Sequence, residues 1–161
     1  MFLFLKFSSI LTRSSFFEFY HPFLPLVSPE QSPDKVYEGS PLLFWIIVSV
    51  ASRRHNQRGL LGILSAPVTS LLWSTISKPP LSLAAIQALC LLCMWPFPEF
   101  HIHSDTSSVI SCIAMNSAIH MGLHRPSHTH EYVNFKNFDK SPSLPGDKIK
   151  TWAACNIVAQ E

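Results

Sequence analysis

The chain has 161 residues, enough for one compact domain with a sizeable core, and its 47% hydrophobic content makes it too apolar to be disordered. Only 14% of its residues are charged, well below the roughly 25% of an ordinary soluble domain. The formal charge of +2 is too small to imply nucleic-acid binding by itself. The shortage of charge leaves two readings, a partly membrane-embedded chain or a piece of something larger.

Residues 1–10 (MFLFLKFSSI) faintly resemble a secretory signal, but Lys6 interrupts the apolar stretch and Arg13 follows it. No basic region precedes the apolar one and no small-x-small cleavage site follows, so residues 1–15 read as a tail of doubtful origin. Residues 16–27 (FFEFYHPFLPLV) are aromatic and proline-rich, suiting a short helix or an extended lead-in. Residues 28–34, with two prolines, read as a loop.

A first strong helix is expected over 41–54. Ser40 suits the N-cap, where its hydroxyl can accept from a free N–H of the first turn. Pro41 suits the first helical position, where its missing donor costs nothing. The helix is apolar nearly all round, from Leu42 through Trp45 to Val50, so it belongs at the centre of a helical domain. A second helix is expected over 60–76, where Leu60, Leu64, Val68, Leu72 and Ile76 recur every four residues. Pro67 lies inside it and is expected to kink or split it. A third spans 83–95, capped by Ser82 and stopped before Pro96.

The fourth helix takes Asp105 as its N-cap and carries Val109, Ile110, Ile113, Ala114, Ser117 and Met121 on one face. Gly122 is placed to end it in the left-handed conformation. Residues 133–146 read as an irregular loop. A last helix begins near Asp147 and is still periodic at the end of the chain. Sustained apolar–polar alternation is missing, so the expected fold is all-α, about four to six helices joined by proline-rich loops.

Membrane spanning fails on length. A spanning helix needs about 20 mostly apolar residues. The run at 42–51 stops before Arg53 and Arg54; the run at 81–95 contains Gln87 and ends at Pro96. A small membrane-associated protein using these two segments remains the rival reading. Arg53, Arg54 and Arg58 follow the first helix, where cations favour its C-terminus, and need no phosphate to explain them.

Little here suggests chemistry. Cys90 and Cys93 have the spacing of half a zinc site but lie mid-helix among leucines, and neither Cys112 nor Cys155 supplies a second pair. Buried free thiols explain all four cysteines better than a disulfide framework. His120 and His124 are spaced to chelate a metal on a helix, but Gly122 stands between them and Met121 occupies the place of a metalloprotease glutamate. His101, His103, His128 and His130 sit in expected loops. Without a nucleophile elbow, a phosphate loop or a dinucleotide fingerprint, an enzyme hypothesis has no residues to name.

Three segments taken together carry a resemblance: YEGSPLLFWIIVSVASRR at 37–54, PPLSLAAIQALCLLCMWPFP at 79–98 and IAMNSAIHMGLHRP at 113–126. They resemble the fungal-specific transcription factor domain, the middle homology region of zinc-cluster regulators. Its loose pattern includes the Ile-Gln-Ala-Leu start seen at Ile86 and the Gly-Leu-His-Arg run seen at Gly122. With SPLLFW at 40–45 and KTWAACN at 150–156, the chain is most similar to the branch that holds the activator of secreted proteases. The similarity covers residues 16–161 except the loop near 133–146.

The resemblance implies a role in transcription control and a nuclear location. The family's six-cysteine cluster, which holds two zinc ions and reads DNA, has no counterpart here. No cofactor and no direct DNA binding are therefore expected of this chain. The expected partners are proteins or the remainder of a larger regulatory domain, of which this chain would be a fragment.

Overall fold

A computed structural model describes residues 15–54, 60–98, 106–125 and 145–160. Among these residues the chain is all-helical: α1 (Phe17–Phe19), α2 (Pro33–Gly39), α3 (Pro41–Ser52), α4 (Leu60–Ile76), α5 (Leu83–Met94), α6 (Ser107–His120) and α7 (Pro145–Val158). No strand occurs among them. The chain divides into two compact units, Met1–Ser77 and Lys78–Glu161.

In the first unit α3 packs on both α2 and α4. Ten of the twelve α3 residues are buried, as expected for a helix without a polar face. Its interior serines satisfy their hydroxyls locally: Ser49 donates to the Trp45 carbonyl at 2.8 Å and Ser52 to that of Ser49 at 2.7 Å. The helix closes at Ser52, and Arg53 occupies the capping position, so it is two residues shorter than the sequence pattern indicates.

The stretch expected to be a loop at 28–34 is partly helical. Ser32 caps α2 by accepting from the Lys35 N–H at 3.4 Å, Pro33 opens the helix and Asp34 places a carboxylate in its first turn. Tyr37 on α2 then meets Phe44 on α3 edge to face, with ring centroids 5.4 Å apart. Ahead of α2, His21 Nε2 lies 2.8 Å from the Val27 carbonyl and ties the turn after α1.

α4 runs as one helix through Pro67, which does not split it. Only Val68 and Leu72 of its seventeen residues are buried. Ile63 is 72% exposed and Trp73 40%.

In the second unit α5, α6 and α7 pack pairwise, each on both of the others. Ten of the twelve α5 residues are buried. α6 turns Ile110, Ala114 and Ala118 inward, a stripe with a four-residue repeat whose small side chains let a neighbouring backbone approach closely. α7 buries Thr151, Ala154, Cys155 and Val158, the narrow i, i+3, i+4, i+7 face of an amphipathic helix. It starts at Pro145, two residues before the expected Asp147, and closes at Val158.

Candidate functional site

The residues singled out in the sequence sit at helix ends. Ser40 has extended backbone (φ −158°, ψ 101°), and its Oγ accepts from the Leu43 N–H at 3.3 Å. Pro41 follows at the first helical position. Ser82 does the same for α5, accepting from the Ala85 N–H at 3.2 Å. Asp105 lies outside the described residues. The capping position of α6 falls on Thr106, whose side chain makes no capping hydrogen bond.

Gly122 has φ +75° just past the capping residue Met121. Its N–H donates to the Ile119 carbonyl at 2.9 Å, and the Leu123 N–H donates back to Ala118 at 3.0 Å. This pair of bonds is the Schellman closure of a helix. Leu123 and Ala118 are both fully buried, which supplies the apolar contact that goes with it. The same turn separates the two histidines: His120 is exposed at the end of α6, whereas the His124 ring lies 6.0 Å from that of Trp152 on α7.

The basic cluster after α3 is drawn onto an aromatic. The Arg54 guanidinium carbon lies 3.9 Å from the centroid of the Phe19 ring. Arg58 lies outside the described residues, as do His101, His103, His128 and His130. The first unit also holds an apolar cleft lined by Phe17, Val27, Pro33, Val36, Phe44 and Ile47, with Gln31 as its polar edge. No titratable side chain lines it.

Chemistry-bearing groups converge between α5 and α7, a juxtaposition that sequence spacing did not indicate. Gln87 Nε2 donates to Thr151 Oγ1 at 3.1 Å, and that hydroxyl donates to the Asp147 carbonyl at 2.7 Å. One turn further along, the Cys90 and Cys155 Sγ atoms lie 3.5 Å apart and fully buried. Cys93, the other half of the CxxC spacing, points elsewhere and contacts the Ser107 carbonyl at 3.6 Å. The hydrogen bond to Cys155, reinforced by burial, pushes the Cys90 thiol well above its usual range. The same bond lowers Cys155, against its own burial. Cys112 on α6 is exposed. Among the described residues no three His, Cys, Asp or Glu side chains gather as a metal site. The available sequence signal was Gln87, the one polar side chain on a helix otherwise built of Leu, Ala, Ile and sulfur residues.

By sequence, the chain is similar to regulatory proteins of yeasts, among them transcriptional regulators. It is 32% identical over 157 residues to the regulatory protein LEU3 of Saccharomyces cerevisiae, covering 88% of this chain and 17% of that protein. It is 29% identical over 134 residues to the transcriptional regulatory protein SEF1 of Candida albicans, covering 83% of this chain and 14% of that protein. The chain thus spans less than a fifth of the length of either relative. No family model matches it, and no solved structure matches it.

Among the described residues no helix is long and apolar enough to cross a membrane. The two segments of the rival reading form helices of twelve residues each, about 18 Å long against a hydrocarbon core of about 30 Å.

Proposed function

We propose that the chain acts in transcription regulation, as a helical regulatory region that works through protein contacts and not by touching DNA. The observation that carries this reading is the similarity to LEU3 across 88% of the chain. The all-helical architecture agrees with it. The finer placement, in the middle homology region of zinc-cluster regulators and near the activator of secreted proteases, rests on the motifs at 37–54, 79–98, 113–126 and 150–156. A nuclear location, proteins or further regulatory segments as partners, and the absence of a cofactor and of catalysis belong to the same proposal.

The test is to tether the chain to an unrelated DNA-binding domain upstream of a reporter in a fungal cell. Reporter output is expected to shift relative to the DNA-binding domain alone. The untethered chain is expected to show no sequence-dependent binding on a DNA array. Unchanged reporter output from a well-expressed fusion, or sequence-dependent DNA binding, would reject the proposal.

A further inference from the structure

We propose that Cys90 and Cys155 form a redox modification site, at which a hydroperoxide converts the two thiols into a reversible disulfide that ties α7 to α5. The argument begins with placement. The two sulfurs are 3.5 Å apart, on two helices of one unit and 65 residues apart in sequence. They need to close to roughly 2.0 Å to bond. The Gln87–Thr151 hydrogen bond, one turn away on the same pair of helices, holds the register that keeps them opposed.

Both sulfurs are shielded in the closed unit, so an oxidant reaches them only when a helix lifts. α7 is held by less buried apolar surface than α5. Its buried stripe is Thr151, Ala154, Cys155 and Val158, small side chains that remove little apolar area from water. α5, in contrast, buries Leu83, Ile86, Leu89, Leu91 and Leu92. Opening of α7 therefore uncovers both thiols together, and reclosing brings them back into contact.

The chemistry balances with a peroxide as oxidant. The Cys155 thiolate attacks one peroxide oxygen and breaks the O–O bond; Cys155 becomes a sulfenic acid, and the departing oxygen leaves as water. The Cys90 sulfur then attacks the sulfenic sulfur, its proton leaving with the displaced hydroxyl as a second water. Two thiols and one hydrogen peroxide give one disulfide and two waters, the sulfurs losing the two electrons that the peroxide gains. A small thiol reverses the bond by exchange.

The test uses the full chain carrying Cys112→Ser, which removes the exposed thiol. The folded protein is treated with hydrogen peroxide, alkylated and digested without reduction. Mass spectrometry is expected to find the peptides of Cys90 and Cys155 joined, and dithiothreitol to separate them. The oxidised protein should also melt at least about 4 °C higher, because the cross-link closes a long loop. The unsubstituted chain mapped in the same way guards against an effect of the substitution. Recovery of Cys90 and Cys155 as alkylated thiols, or pairing of Cys90 with Cys93 instead, would overturn the proposal.

Discussion

Gln87 and Thr151 meet through a 3.1 Å hydrogen bond across the second unit, and the Thr151 hydroxyl in turn donates a hydrogen bond to the Asp147 carbonyl at 2.7 Å. Gln87 is 7% exposed and Thr151 fully buried, so these polar groups have left water and depend on one another. Thr151→Val keeps the shape and removes the acceptor. It should destabilise the unit by about 1–2 kcal/mol, since it leaves a buried amide donor short of a partner. Gln87→Leu should then cost less in the Thr151→Val background than alone. Urea unfolding followed by circular dichroism measures the cycle. Strict additivity of the two substitutions would show that the contact carries no coupling.

The capping serines give a second prediction. Ser40 and Ser82 each satisfy the third N–H of the helix they precede. Ser40→Ala and Ser82→Ala should each cost about 1 kcal/mol, and Gly at either position only a few tenths. Thr106→Ala should cost less than either, because its side chain makes no capping bond. Equal losses at all three positions, in the same denaturation assay, would contradict the assignment.

What the sequence disclosed followed from the range of the interactions. The all-α class was legible because it is written in local periodicity and punctuation, such as the serine ahead of α5 and the proline after it. α2 was legible in principle, since Ser32, Pro33 and Asp34 form a helix-start signature, but two nearby prolines argued for a loop. Of the two outcomes expected at Pro67, splitting does not occur: α4 continues through it with the loss of one donor. The opposition of Cys90 to Cys155 could not be read at all. It depends on how α5 and α7 pack after 65 intervening residues, which no local spacing encodes.

Pro67 yields a third prediction. It is exposed, so its side chain adds little packing, and it cannot donate to the carbonyl four residues earlier. Pro67→Ala should therefore stabilise α4 by about 1–3 kcal/mol and raise the helical signal at 222 nm. A destabilised variant would mean that the proline fixes a bend on which packing around Val68 and Leu72 depends.

Gly122 yields a fourth. Its φ of +75° lies where a β-branched residue is strained, and two closing hydrogen bonds depend on that conformation. Gly122→Val should cost more than about 1 kcal/mol in thermal or chemical unfolding. His124→Gln, two residues on, should cost little if the ring only rests near Trp152. A neutral Gly122→Val would reject the cap. A His124→Gln that folds normally yet abolishes the reporter response would assign that ring a functional role.

The last prediction concerns α4. Most helical stability comes from packing an apolar face, yet α4 has seventeen residues with just two buried. Its remaining apolar side chains are therefore open or half-open to solvent; Ile63 at 72% and Trp73 at 40% mark the surface. Water-exposed apolar groups that adjoin one another associate, with other chains or with a hydrophobic dye. The isolated chain should therefore bind such a dye and lose solubility as its concentration rises. Ile63→Glu should weaken both effects. Because Ile63 contributes little to the buried core, the substitution should change folding stability by no more than about 0.5 kcal/mol. Dye fluorescence, light scattering and a urea melt on the two proteins separate the cases. Reduced dye binding with an unchanged melt places the exposed apolar surface on α4. Unchanged dye binding would place it elsewhere in the molecule, and a large loss of stability would show that Ile63 is packed in solution.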